Sequence, residues 1–246
     1  ALCALMFPFA AISASLQVAP TRLELRPAQT SEALWLTNTG TAPMKVQIRV
    51  FGWQQVGGED QLVETRDIQP SPPVHDLAAG QQQLVRLVRM VPADGTVQQA
   101  YRVVVDELPR LDPDARGMQF VLRYWVPLFL QPANADALKP RLAARALPMP
   151  DGAPGLEVRN EGDGYAQLAD VAIGDPQRPR ILRPGLVGYV LPGQVMHWNL
   201  DTASLPEAAT FSAKINGEPA QTALPATPPG RWGGRGDPAR ARADRR

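Results

Sequence analysis

The chain of 246 residues is short of the side chains that carry covalent and metal chemistry. Its single cysteine, Cys3, lies in the N-terminal apolar run, so a mature chain without that run has no disulfide, no thiolate ligand and no cysteine nucleophile. There are two histidines, His75 and His197, in different predicted domains and without HxH or HxxxH spacing, which argues against a histidine metal site. No GxSxG elbow, glycine-rich phosphate loop or GxGxxG fingerprint occurs. Asp106–Glu107 and Asp112/Asp114 come nearest to an acid–base pair. Adjacent residues on a strand point to opposite faces, however, so Asp106 and Glu107 cannot act together. These absences disfavour an enzyme, and no cofactor or metal is expected. A formal net charge of +1 supplies no field to recruit nucleic acid or a membrane surface. Long helical periodicity is scarce as well.

What the chain has in quantity is turn formers between short apolar runs: 26 prolines and 20 glycines. That pattern suits an all-β chain. Residues 1–14, ALCALMFPFAAISA, read as the apolar core and cleavage site of a secretory signal peptide that begins inside the segment supplied. The run is too short to span a bilayer, so export with cleavage near Ala14 is expected, with no stable membrane insertion. Residues 15–133 then carry strand-like runs at Leu16–Leu25 (interrupted by Pro20), Ala33–Asn38, Met44–Trp53, Gln83–Met90 and Tyr101–Leu108. Gly57–Asp60 is a hairpin-type break. Asp67–Val74 is too proline-rich for a central strand, and its Ser71–Pro72 bond is a candidate cis peptide. After a linker at Asn134–Pro140, shorter runs follow at Leu142–Ala146, Leu156–Asn160, Gln167–Ile173, Leu186–Leu191, Val195–Asn199 and Thr210–Ile215. Strands of this spacing describe two immunoglobulin-like sandwiches, at 15–133 and 134–225. Residues 226–246, with six Arg, two Asp and almost nothing apolar, read as a disordered basic tail.

The longest regular stretch is Met118–Pro132, MQFVLRYWVPLFLQP. Met118, Phe120, Leu122, Tyr124, Val126, Leu128 and Leu130 recur with a period of two, which predicts a strand from Met118 to Leu130 with one apolar face. That face is either plain core or is shown in part to another chain.

Several motifs in order resemble the periplasmic pilus (fimbrial) chaperones, the PapD-like family of chaperone–usher systems. They are PTRLEL at Pro20–Leu25, LTNTG at Leu36–Gly40, SPPVHDLAAGQQQLVRLV at Ser71–Val88, YRVVVDELP at Tyr101–Pro109 and LFLQP at Leu128–Pro132. LVGYVLPGQVMHW at Leu186–Trp198 is similar to chaperones of the archaic branch, those related to spore-coat-protein-U-type pilins. The resemblance implies two immunoglobulin-like domains set in an L and a periplasmic chaperone in pilus assembly. Such a chaperone would bind pilin subunits by donor-strand complementation and deliver them to an outer-membrane usher. The implied pilin lacks a strand, and the chaperone lends it an edge with alternate apolar side chains.

The resemblance also implies site residues. Met118, Phe120 and Leu122 fall at groove-filling positions of the donor strand, with Tyr124 and Val126 continuing that face. Arg22 matches the family's first-strand anchor for the pilin C-terminal carboxylate. The family's second anchor, a lysine on the long strand, falls at Pro127. Arg89, Arg102 and Arg123 lie on neighbouring predicted strands and are candidates for the second cation; the anchoring set taken forward is Arg22, Arg89 and Arg123. Glu107 matches an acidic residue of a domain-orienting ion pair whose arginine position is Gln131 in this chain. The alternative reading is an exported structural pilus component or adhesin, for which two apparently complete domains and an internal long strand are a poor match.

Overall fold

The computed structural model describes residues 15–93, 95–109, 121–133, 138–206 and 209–226. Every regular element in them is a strand. The chain divides into two compact units. One comprises residues up to 137 without Gln55–Glu59; the other comprises Gln55–Glu59 and the chain from Leu138 onward.

The first unit is a two-sheet sandwich. One sheet has the order β1 (Leu16–Ala19), β3 (Ser31–Asn38), β8 (Gln82–Arg89) and β6 (Ile68–Ser71). The second runs β2 (Leu23–Leu25), β10 (Arg123–Leu130), β9 (Gln99–Leu108), β4 (Met44–Val56) and β5 (Glu59–Glu64), with β7 (Val74–Leu77) also on β4. The expected first strand is thus two strands in different sheets, because the chain changes sheet at Pro20, where the Ala19–Pro20 bond is cis. Proline cannot donate to a ladder, so a sheet switch is a natural place for it. Ser71–Pro72 is cis too, and the proline-rich β6 lies at a sheet edge, as its composition requires. Gly57 and Gly58, with φ of 65° and 87°, supply the left-handed turn between β4 and β5.

Alternation decides which side chains meet between these sheets. Val46, Ile48 and Val50 of β4, Tyr101, Val103 and Val105 of β9, and Val126, Leu128 and Leu130 of β10 all join one buried cluster. Leu34, Leu36, Val85 and Leu87 enter it from the other sheet. Asn38, fully buried, has its amide nitrogen on the carbonyls of Ala42 (2.9 Å) and Leu77 (3.1 Å), and its oxygen accepts the Gly40 amide. It satisfies backbone groups that the turn after β3 would otherwise leave buried without partners.

The second unit repeats the logic with shorter strands. One sheet has the order β11 (Leu142–Pro148), β12 (Pro154–Asn160), β15 (Val195–Asn199); the other has β14 (Arg180–Val190), β13 (Ala166–Ile173), β16 (Phe211–Ile215), β17 (Thr222–Leu224). Its core gathers Leu156, Val158, Leu168, Val171, Val190 and Phe211. Asn160 does here what Asn38 does in the first unit, donating to the carbonyls of Gly164 and Val190 and accepting from Arg141 and Gly162. His197 shares the buried Glu157 carboxylate with Arg145, a structural role. The predicted signal segment 1–14 and the tail beyond residue 226 lie outside the described residues.

Candidate functional site

The site is built on the outward face of the β2–β10–β9–β4 sheet. Odd-numbered residues of β10 face outward: Arg123, Trp125, Pro127 and Phe129. In the antiparallel pair with β9 these stand across from Asp106, Val104, Arg102 and Ala100. The β9–β4 register continues the rows to Gln47, Arg49 and Phe51.

β10 has strand partners on both sides over only part of its length. β9 accompanies it from Arg123 to Leu130, while β2, running parallel, covers Leu128 to Leu130. Among the described residues, no strand pairs with the other edge of β10 from Arg123 to Pro127. An unpaired edge displays backbone hydrogen-bonding groups and accepts an added strand. Pro127 within β10 fits such an edge, since a strand proline is tolerated only where a ladder bond is not demanded.

Cations mark the end of this open edge. Leu23 is level with Leu128, so Arg22, one residue earlier, stands level with Pro127. Arg102 is level with Pro127 from the opposite side. Two strand spacings put their Cα atoms roughly 10 Å apart. Arg22 is about half exposed, with Nε 3.4 Å from Glu24 Oε1; Glu24 also accepts Gln131 Nε2 at 3.2 Å. Arg102 is mostly buried, its guanidinium 3.5 Å from the Trp53 ring centroid and 3.9 Å from Asp60. A guanidinium so stacked is held in one orientation. Arginines thus stand on either side of Pro127 at the end of the open edge. The pattern of the sequence did not single out Arg102; the pairing register does.

The other predicted anchors are elsewhere. Arg89 belongs to β8 in the other sheet, and its guanidinium donates to the carbonyls of Arg26 and Pro27. It is not gathered with Arg22, because β2 and β8 belong to different sheets. Arg123 is on the correct face, but four residues along from Pro127. Its Nε pairs with Asp106 Oδ1, while Arg49 Nη2 holds Asp106 Oδ2 at 2.7 Å. Burial pushes the Asp106 carboxyl up, but the hydrogen bonds and charges of Arg123 and Arg49 outweigh this and leave it below its ordinary value.

Of the predicted donor positions, Met118 and Phe120 lie outside the described residues. Leu122 precedes β10, half-buried, and exchanges backbone contacts with Glu107: its carbonyl accepts the Glu107 amide at 2.9 Å. Glu107 also offers its carboxylate to the Leu122 amide at 3.4 Å. Gln131, the family's arginine position, is turned to Glu24 instead. Among the described residues of the predicted Met118–Leu130 strand, Val121 and Leu122 precede β10, which runs Arg123–Leu130. Tyr124 packs partly against the core and its hydroxyl donates to the Leu16 carbonyl. Val126, 4% exposed, belongs to the unit's own core, which corrects its assignment to the groove-filling face. Among the described residues no group of three or more potential metal-ligating side chains occurs.

The family model for the pili and flagellar-assembly chaperone PapD N-terminal domain matches residues 15–136. Among solved structures, the chain is similar to one from the CsuC–CsuE chaperone–tip adhesion subunit pre-assembly complex of the archaic chaperone-usher Csu pili of Acinetobacter baumannii. That match has 27% identity and a TM-score of 0.71, covering 87% of this chain and 100% of that one. It is also similar to the YadV chaperone (19% identity, TM-score 0.59, 86% and 97% covered). A third match is to a chain from the Salmonella enterica SafA pilin–SafB chaperone complex (20% identity, TM-score 0.58, 85% and 94% covered). No curated protein sequence matches significantly.

Proposed function

We propose, for a chain whose residues 15–136 belong to the PapD N-terminal domain family of pilus and flagellar-assembly chaperones, that it captures incomplete pilin subunits in the periplasm and hands them to an outer-membrane usher. The reading is of binding rather than catalysis. The observation that carries it is the open β10 edge from Arg123 to Pro127, ending at arginines on both sides of Pro127.

A pilin strand laid on that edge gains backbone hydrogen bonds along β10. Arg22 itself lies in line with β2 beside Pro127, so the guest strand extends no further than the level of Val126. Its terminal carboxylate then falls between Arg22 and Arg102. Only a strand parallel to β10 brings its C-terminal end there. Arginine is suited to the task, since its planar fork matches a carboxylate and fixes register. Met118, Phe120 and Leu122, before the strand, are the side chains lent to the client's apolar groove. Each contributes on the order of 1.5–3 kcal/mol on full burial, before association costs.

The test is periplasmic co-expression with a small pilin encoded beside an usher, followed by isolation of a one-to-one complex. Recovery of pilin with the wild type and its loss with Arg22→Glu, at unchanged chaperone yield, is the expected result. Equal recovery with both would sink the anchoring role.

A further inference from the structure

The second unit carries an edge strand of its own. β14 ends its sheet, and among the described residues β13 is the one strand paired with it. From Pro176 to Leu200 the sequence holds three arginines, Arg178, Arg180 and Arg183, and neither aspartate nor glutamate. Arg178 and Arg180 are exposed, and none of the three forms an ion pair with a described residue. Arg183 rests its Nη1 on the Asn199 carbonyl at 2.9 Å. On β13, Asp170 holds the Gly185 amide at 2.7 Å and is offset by Lys214 Nζ at 2.8 Å. Asp175, in the turn before β14, accepts the Gln177 amide at 2.8 Å. Positive charge is therefore in excess along the strand. Ile181 and Leu186 stand in the same edge, 42% and 60% exposed.

We propose that this edge docks an acidic, extended segment of a partner polypeptide along Arg180–Arg183. The site is separate from β10 and does not rest on the strand-capture reading. Backbone pairing here is short, because Pro184 has no N–H to offer and the Gly185 amide is spent on Asp170. A guest gains few ladder bonds, so its side chains decide whether it binds. Carboxylates on the guest meet the free guanidinium groups, and an apolar side chain between them covers Ile181. Arg178 and Arg180 also line a cavity of about 310 Å³ with Ile173 and Thr210, which has room for a carboxylate side chain. A second copy of this edge is a poor guest. Pairing two of them sets arginine against arginine, and like charges across strands are destabilising. A long apolar strand is turned away by Pro184 and the charges, the usual protection of an edge. An acidic guest is the one that the charge favours.

The probe is a fluorescent peptide of alternating Glu and Val, acetylated and amidated so that it carries no terminal charge. Three companions replace every Glu by Gln, every Glu by Lys, or the central Val residues by Pro. Anisotropy titrations use the full chain as wild type, Arg178→Glu/Arg180→Glu and Arg22→Glu. Wild type should bind the Glu peptide about tenfold more tightly than the Gln or Lys peptide, and added salt should weaken it. The double variant should lose about tenfold in affinity at an unchanged thermal midpoint, since neither arginine has a described ionic partner to lose. Arg22→Glu should bind as wild type does. The Pro peptide keeps every charge but cannot join a ladder, and should bind more weakly than its parent. No binding of the Glu peptide, equal binding of the Glu and Gln peptides, or full affinity in the double variant overturns the proposal. Loss of binding in Arg22→Glu would place the peptide on the first unit and overturns it as well. Equal binding of the Pro peptide would mean capture by charge without strand pairing, and overturns docking at the edge.

Discussion

Arg102 lies directly across β9–β10 from Pro127, and it is stacked on Trp53 at 3.5 Å. A cation thus stands one strand away from Pro127. Arg22 approaches the same level from β2. Register, rather than residue identity at one position, preserves a two-cation end to the open edge.

Removing either arginine should therefore weaken client binding. Charge-assisted hydrogen bonds contribute roughly 1.5–3 kcal/mol, or about 10- to 150-fold in affinity. Arg22→Ala should lose binding with little change in melting temperature, since Arg22 is half exposed and has a single surface partner, Glu24. Arg102→Lys should also lose binding, because a lysine gives up the planar stack on Trp53 and the bidentate fork. Titration of purified chaperone with pilin, beside thermal melts, measures both quantities. Full affinity in Arg102→Lys would remove Arg102 from the anchor.

The stretch 118–130 should divide at Arg123. Leu128 is fully buried in the core of the first unit, so Leu128→Ala should cost roughly 2–5 kcal/mol of stability. Leu122→Glu alters a half-buried residue outside β10 that packs against the rim of that core. It should lower pilin capture tenfold or more while moving the urea midpoint of the free chaperone less than Leu128→Ala does. Parallel loss of stability and capture in Leu122→Glu would assign Leu122 to the core instead.

Period-two alternation made most of this sandwich legible in advance, from Met44–Trp53 through Tyr101–Leu108 to Tyr124–Leu130. It failed where the reason lies outside the local pattern. β5, with Glu59, Asp60 and Gln61 in its first half, has no apolar stripe and is a strand because it folds back on β4. The chain around Pro20 reads as one interrupted strand, yet its halves join different sheets. Arg89 looked equivalent to Arg102 because sequence order says nothing about which sheet a strand enters. Arg102, named beside Arg89 and Arg123, is set apart from them by the register that puts it level with Pro127. Asp106, dismissed as half of an acid pair, proved to be the hub for Arg49 and Arg123. Nothing in its spacing announces that.

Asn38 and Asn160 should matter as much as large apolar side chains. Each is fully buried, and each satisfies backbone groups around a turn with both amide hydrogens and its oxygen. Replacement by alanine leaves buried carbonyls and amides without partners, at about 1–3 kcal/mol per group. Asn160→Ala should thus lower stability by several kcal/mol, and hydrogen exchange should show the loss in the second unit. Asn160→Asp keeps the acceptor but not the donors, and should fall between the two. A neutral Asn160→Ala would show that water replaces the amide.

The Asp106 cluster predicts how the first unit responds to acid. Its folded carboxyl titrates below the ordinary value near 3.9 because Arg123 and Arg49 outweigh the effect of burial. A depressed folded value means that the ionised group stabilises the fold at pH above the unfolded value. That contribution fades as pH falls from about 5 and is lost once the folded group is protonated. Asp106→Asn removes the titration, so the variant should be less stable than wild type at pH 7. The two should converge as pH falls from about 5 towards 2. The arginines at either side are about half exposed, so added salt should narrow the difference at neutral pH as well. Urea midpoints across that range, with and without salt, decide the matter: a gap that stays constant with pH would mean that Asp106 acts by packing and hydrogen bonding rather than by charge.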